Sequence, residues 1–129
     1  MRTQEQKYAT LIYSQVYEIW ANDRTYQKQY GSLAHKLPIL VRQAGLAQAL
    51  AFAATRKPEA QQKLLEHLAA VVIHDDFHQL LEQSRTRPLL QYMRLSEEVM
   101  MALTWYRRYA QSVLDVDPTE DVEGGAENE

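Results

Sequence analysis

Residues 30–52, YGSLAHKLPILVRQAGLAQALAF, contain two apolar stripes on either side of a single glycine. Apolar residues recur at i, i+4, i+7, i+8 and i+11 before Gly45, and at i, i+3, i+4 and i+7 after it. Each spacing places its residues on one face of a helix. Glycine accepts the positive φ of a helix end without a Cβ clash. The pattern therefore predicts two helices that meet at Gly45 and face one core with two stripes: Leu33, Leu37, Leu40, Val41 and Ala44, then Leu46, Ala49, Leu50 and Ala53.

The first of these two helices contains a start signal and an interruption. Ser32 has a side chain suited to the N-cap position. Pro38 lacks an N–H and clashes with the preceding turn of a helix. The sequence is therefore compatible with a helix kinked at Leu37, or with a new helix that has Pro38 as its first residue.

The outer face of the same helix is basic. At about 100° per residue, Arg42 and His35 fall opposite the apolar stripe and Lys36 falls on its flank. Ile39 also points away from the core. This face is either an ordinary solvated surface or a contact surface, and the spacing alone does not separate the two.

The rest of the chain also has helical patterns. Thr3 and Gln6 have the spacing of a capping box, and a broad apolar arc that includes Tyr13 and Tyr17 follows them. Breaks are expected at Asn22–Asp23, at Pro58, at Asp75–Asp76 and in a basic loop over residues 84–87. No segment alternates with period two for more than a few residues, so no strand is predicted. We predict an all-α, single-domain bundle of five or six helices with long first and last helices.

The last helix is predicted to run from Pro88 to about Leu114. Leu89 and Met93 begin its broad core face, which continues through Tyr92, Met100, Leu103, Tyr106, Ala110 and Leu114. A second stripe, away from the centre of that face, holds Arg94, Met101, Trp105 and Arg108. Basic and aromatic side chains on an exposed stripe would suit phosphate contact with ring stacking. We expect Trp105 to be buried, because large aromatic residues dominate cores, and Arg94, Arg107 and Arg108 to be exposed.

Charge divides the chain into two parts. Seven of the 17 acidic residues lie in residues 115–129, which leaves ten acidic against 14 basic residues in the remainder. We predict a helical domain over residues 1–114 and an acidic, disordered tail over residues 115–129. Such an asymmetry is typical of nucleic-acid contact, although a solubilising tail would have the same composition.

Composition also restricts the class of protein. The chain contains no cysteine, which excludes disulfides, thiolate metal sites and a cysteine nucleophile. No run of about 18 apolar residues suits a membrane span, and the N-terminal MRTQEQKY lacks the apolar core of a signal peptide. We expect a cytoplasmic protein with no membrane contact.

Three histidines are the main candidates for catalysis. His67, His74 and His78 are spaced by seven and four residues, and His74–Asp75–Asp76 superficially resembles the His-Asp signature of metal phosphohydrolases. Such chemistry needs further His and Asp ligands, which the pattern does not supply. No glycine-rich phosphate loop or nucleophile motif is present. We expect surface histidines, no cofactor, no metal and no enzyme, and keep a phosphohydrolase built on His74 and Asp75 as an alternative.

The stretch YGSLAHKLPILVRQAGLAQALAF, followed later by YMRLSEEVMMALTWYRRYA, resembles the small-subunit family of the Cmr complex, the type III-B CRISPR RNA-guided effector (the fifth Cmr protein). The resemblance extends to about Leu114 and depends on Tyr30-Gly31-Ser32, Leu37-Pro38, Gly45-Leu46, Ala51-Phe52 and the segment from Trp105 to Arg108.

The resemblance implies a non-catalytic subunit of an antiviral complex. Small subunits of this family stack as several copies along the complex, beside the guide and target RNA duplex, and help to hold target RNA, while cleavage belongs to other subunits. The implied partners are other Cmr subunits, further copies of this chain, and guide and target RNA, with no small-molecule substrate. RNA recognition should be directed at the backbone, because guide pairing supplies sequence specificity. The candidate RNA-binding residues are Lys36, Arg42, Arg94, Arg107 and Arg108; the alternative is a protein-interaction scaffold without RNA contact.

Overall fold

The computed structural model describes residues 2–118, which form six α-helices and no strand. The helices are α1 (Gln4–Ile19), α2 (Arg24–Ala44), α3 (Leu46–Ala53), α4 (Glu59–Ile73), α5 (Phe77–Thr86) and α6 (Leu89–Ser112). The predicted all-α, single-domain bundle is confirmed. The longest helices are α2 and α6, with 21 and 24 residues, whereas α1 has 16. The second helix, rather than the first, therefore pairs with the last as the frame of the bundle.

Helices α2 and α6 run antiparallel through the centre of the bundle. The Arg24 guanidinium, at the start of α2, donates to the carbonyl of Leu114, just beyond the end of α6. At the other end, the backbone N–H of Ala47 donates to the Tyr92 hydroxyl over 3.3 Å. All six helices contribute to one core, whose largest fully buried side chains are Ile12, Tyr30, Leu33, Leu37, Leu46, Leu50, Leu64, Leu68, Leu80, Leu95, Leu103 and Tyr106.

Capping side chains define where α1 and α2 begin. The predicted capping box is present: Thr3 accepts from the N–H of Gln6, and the Gln6 side chain accepts from the N–H of Thr3. Ser32 is not an N-cap, because it lies buried inside α2. Asp23 caps α2 instead, accepting from the N–H of Tyr26 over 2.9 Å. The helix starts earlier than predicted because its buried face continues toward the N-terminus through Tyr30.

Pro38 and Gly45 act differently on the chain. Helix α2 runs without a new start across Pro38, so the alternative of a restarted helix is wrong. Gly45 has a φ of 89° and separates α2 from α3, as predicted. Its N–H donates to the carbonyl of Val41 over 2.9 Å and completes the last turn of α2.

The exposed surface contains more apolar side chains than the sequence pattern predicts. Tyr13 and Tyr17 were expected in a broad buried arc of α1 but are 47% and 58% exposed. Leu89 and Met93, assigned to the core face of α6, are 71% and 49% exposed. The buried face of α6 starts only at Leu95. Leu89 and Met93 therefore keep the spacing of the core face without packing on the core.

The predicted basic loop over residues 84–87 is wrong. Helix α5 continues to Thr86, and Ser84 is buried with its hydroxyl donating to the carbonyl of Leu81 over 2.7 Å. Only Arg87 lies between α5 and Pro88, which caps α6. A serine that bonds within its own turn is compatible with a helix interior, which the local composition did not reveal.

The segment after α6 packs back onto α2. Val116 is fully buried, and its side-chain carbons lie 2.7–2.9 Å from the position that a Cβ on Gly31 would occupy. The N–H of Val116 donates to the carbonyl of Ala110, and the carbonyl of Val116 lies 2.8 Å from His35 Nε2. Val116, which the sequence analysis places in the tail, therefore packs on the helical domain. Residues 119–129 of the predicted tail lie outside the described residues.

Candidate nucleic-acid interface

All five predicted cations are exposed. Lys36 and Arg42 lie on α2, and Arg94, Arg107 and Arg108 lie on α6. Within residues 2–118, none of the five forms an ion pair. Their charges are thus not neutralised by this part of the chain. Ile39, on the same side of α2, is exposed as predicted.

The structure does not gather these five side chains into one cluster. Arg94 and Arg108 lie on one stripe of α6, fourteen residues and therefore about 21 Å apart. Arg42 lies near the end of α2 that faces Tyr92, whereas Arg107 and Arg108 lie near the opposite end of the bundle. Arg107 and Arg108 are neighbours on a helix and point about 100° apart. The cations are spread over the length of the bundle.

Arg108 is joined to a set of aromatic rings. Its guanidinium lies over the Trp105 ring, 5.7 Å from the centroid. Trp105 was expected to be buried, and the structure shows that it is only partly buried. The Trp105 N–H is buried and has no hydrogen-bond partner among the described residues. The ring therefore turns its N–H edge toward the protein and leaves another part of its surface to solvent.

Tyrosines from α1 extend this set, and sequence analysis missed them. The Tyr109 ring lies 5.5 Å from that of Trp105 and 5.4 Å from that of Tyr13, and Tyr13 stacks on Tyr17 at 6.1 Å. The i, i+4 spacing of Tyr13 and Tyr17 was assigned to the core. The available signal was their polar neighbours Ser14 and Glu18, which are exposed on the same helix.

His35 was predicted to lie on the outer face of α2, and this is wrong. It is 5% exposed, with Nε2 hydrogen-bonded to the carbonyl of Val116. The apolar stripe of α2 is wider than its leucines indicate, because the C-terminal segment covers a second side of the helix. His35 therefore holds that segment in place and leaves Lys36 as the exposed cation beside it.

His67 is also not a surface histidine. Its Nδ1 is 2.8 Å from the hydroxyl of the buried Tyr30, and its backbone carbonyl accepts from the Gln15 amide over 3.1 Å. Burial, assisted by the nearby Lys63 ammonium, lowers the pKa of His67 to about 4. Burial likewise holds the pKa of the Tyr30 hydroxyl well above its ordinary value. This histidine is neutral at physiological pH and has a structural role.

The remaining histidines do not build a metal site. His74 is exposed and adopts a left-handed conformation where α4 ends, which breaks the stripe that would join it to His78. Across residues 2–118, no group of three or more His, Asp or Glu side chains is placed to hold a metal ion. Asp75 and Asp76 instead organise the turn, and Asp76 caps α5. The phosphohydrolase alternative lacks a ligand set in the described chain.

None of the described helices combines the length and the apolar character needed to cross a bilayer.

Fold and surface together define an all-α module whose distinguishing surface features are dispersed cations and a set of exposed or partly exposed aromatic rings. The family model of the CRISPR-associated protein Cmr5 (Cas_Cmr5) matches residues 4–113. The chain belongs to this family, which confirms the resemblance seen in the sequence.

A sequence comparison and a structure comparison, both with Cmr5 from Thermus thermophilus, support the assignment. The CRISPR system Cmr subunit Cmr5 is 43% identical over 115 residues, which cover 89% of this chain and 99% of the relative. An X-ray crystal structure of a CRISPR-associated Cmr5 family protein superposes with a TM-score of 0.82 at 44% identity, covering 87% of this chain and 97% of that one. The similarity therefore includes nearly the whole of the described bundle.

Proposed function

We propose that this protein is a non-catalytic small subunit of a Cmr complex, a type III-B CRISPR RNA-guided antiviral effector in the cytoplasm. Its partners would be the other Cmr subunits, further copies of itself, and guide and target RNA. The observation that carries the RNA-binding role is the set of five exposed cations on α2 and α6 that have no ion-pair partner among the described residues. Family membership supports the assignment to the complex.

The dispersal of the cations favours a long polyanion as ligand. A small anion would need several donors converging on one point, whereas Arg94 and Arg108 alone are about 21 Å apart. A nucleic-acid backbone presents phosphates at regular intervals, so separated cations can each neutralise one. Contacts to phosphate position the ligand but carry no sequence information. This arrangement suits a subunit that holds RNA whose sequence is read by the guide.

Removing single cations tests the proposal. We expect Lys36→Ala, Arg42→Ala and Arg108→Ala each to weaken binding of a labelled RNA for all sequences alike. Each lost phosphate contact should reduce the magnitude of the negative slope of log affinity against log salt by about 0.7 to 0.9. Lys57→Ala is the matched control, because Lys57 is exposed but lies between α3 and α4. Affinity is measured by fluorescence anisotropy at several salt concentrations.

The proposal fails if all three variants keep the affinity and the slope of the wild-type protein. A second candidate, a protein-interaction scaffold without RNA contact, would then replace it. The exposed apolar patch formed by Leu89, Leu90 and Met93 at the start of α6 favours that candidate. Apolar patches of this kind are typical of protein contacts. The double variant Leu89→Ser/Leu90→Ser should weaken assembly with Cmr partners if the patch contacts protein. It should leave RNA affinity unchanged if protein contact and RNA binding use separate surfaces.

A further inference from the structure

Four aromatic rings and one guanidinium form a continuous series across the surface of α1 and α6. We call this series, Tyr17, Tyr13, Tyr109, Trp105 and Arg108, the aromatic ladder. Neighbouring ring centroids are 5.4–6.1 Å apart, and the Arg108 guanidinium lies 5.7 Å from the Trp105 centroid at one end. Two different helices therefore contribute to one aromatic surface.

Contacts with the rest of the protein fix the rings of the ladder, and part of their surface is exposed to solvent. The Tyr109 hydroxyl donates to the carbonyl of Ala9 over 3.0 Å, which ties its ring to α1. The Trp105 N–H edge is buried, and the Tyr13 ring rests edge-on against Tyr109. Tyr13 and Tyr17 nevertheless leave about half of their surface to solvent. Rings with few rotatable bonds that are fixed in this way lose little entropy when a ligand contacts them.

The chemistry of the ladder favours nucleobases over a protein partner. Its members are aromatic or cationic, whereas a group of three exposed aliphatic side chains, Leu89, Leu90 and Met93, lies at the start of α6. Aromatic faces stack on any base, and an arginine beside them can contact phosphate. An open depression of about 380 Å³ adjoins the ladder and is lined by Arg108, Tyr109, Gln111 and Ser112, which supply polar groups around it.

We propose that the aromatic ladder binds unpaired bases of single-stranded RNA by stacking, while Arg108 contacts the adjoining phosphate. The inference deepens the proposed RNA-holding role and rests on it. It adds a second mode of contact, because stacking requires bases that are not paired, whereas the cations on α2 recognise phosphates alone. The protein should accordingly distinguish single-stranded RNA from a duplex of the same sequence.

The test uses the full chain and three RNA probes: a single-stranded oligouridine, an abasic strand of the same length, and a duplex of the same length. The double variant Tyr13→Leu/Tyr17→Leu removes two rings from exposed positions and keeps them apolar. We expect it to weaken binding of oligouridine by at least about fivefold and to leave binding of the abasic strand unchanged. Leu11→Ala, at another exposed apolar position of α1, is the matched control.

Fluorescence gives an independent readout. The chain has two tryptophans, so Trp20→Phe leaves Trp105 as the single reporter. We expect oligouridine to quench Trp105 and the abasic strand to leave its emission unchanged, because only a base can stack near the ring.

Three results would overturn the inference. If Tyr13→Leu/Tyr17→Leu binds oligouridine like the wild type while Lys36→Ala weakens it, the ladder does not stack bases although the proposed function holds. If the wild-type protein binds none of the three probes, the proposed function itself fails. If the double variant changes only self-association, measured by sedimentation, the ladder is a protein-contact surface.

Discussion

The close packing of Val116 on Gly31 predicts opposite effects of one substitution in two backgrounds. Gly31→Ala should destabilise the chain that contains the Val116 side chain and stabilise a chain that lacks it. Gly31 lies inside α2, where alanine is favoured over glycine by about 0.8–1.0 kcal/mol. An added Cβ would lie 2.7 Å from the Val116 Cβ and 2.8–2.9 Å from its two methyl groups. Hydrogen bonds on either side of Val116 restrain its backbone, so the segment cannot easily move away. Overpacking of this kind costs about 1–3 kcal/mol.

We therefore expect Gly31→Ala to destabilise the full chain by about 1 kcal/mol, as the overpacking cost exceeds the gain in helix propensity. In a chain that ends at Asp115, the obstructing side chain is absent, and the same substitution should stabilise the protein by about 0.5–1 kcal/mol. Urea denaturation followed by circular dichroism gives the two differences. Val116→Gly in the full chain is a second background for the same comparison. An effect of the same sign in both backgrounds would refute the packing of Val116 on α2.

Three further predictions test other parts of the structure. Deleting residues 118–129 should leave the melting temperature unchanged within a degree or so, because Val116 and its contacts remain; a loss of several degrees would show that the tail docks on the body. Gly45→Val should cost more than about 1 kcal/mol, since a β-branched residue fits poorly at a φ of 89°; unchanged stability would contradict that conformation. Because the pKa of His67 is about 4 when folded, against 6.5 for an ordinary histidine, the folded protein binds fewer protons than the unfolded chain between these values. Its stability should fall as pH drops through 6.5 toward 4, by about 1–2 kcal/mol after allowance for partial exposure, and His67→Gln should flatten this part of the profile.

The sequence predicts the helices well because their signals are local. The Thr3–Gln6 capping box, the break at Gly45 and the start of the last helix all depend on residues within one or two turns. The start of α2 was misplaced for the same reason. Ser32 has a capping side chain, but the buried face of the helix extends beyond it to an equally suitable cap at Asp23.

The environment of individual side chains was harder to predict because it depends on distant segments. His35 is buried by Val116, which follows it by 81 residues, and His67 is buried against Tyr30. Periodicity within one helix contains no information about these contacts. The five candidate cations were correctly expected at the surface, since lysine and arginine are almost never fully buried unless they are paired. Their RNA-binding role remains a prediction.

The aromatic ladder could not be predicted from the sequence pattern of each helix taken separately. Trp105 and Arg108 were recognised on one stripe of α6, whereas Tyr13 and Tyr17 were assigned to a core. Only the packing of α1 against α6 brings these residues together. An i, i+4 pair of tyrosines has the same sequence pattern whether it faces a core or solvent, because tyrosine suits both environments.

The salt dependence of RNA binding by the wild-type protein tests the central claim most directly. Affinity for a labelled RNA should be measured across a series of salt concentrations with the full chain. If the dispersed cations neutralise phosphates, log affinity should fall linearly with log salt, with a slope of about −2 to −4.5 for three to five contacts. Binding that does not weaken with salt, or no binding at the lowest salt concentration, would contradict phosphate recognition by these cations. The protein-interaction scaffold without RNA contact would then be the favoured function.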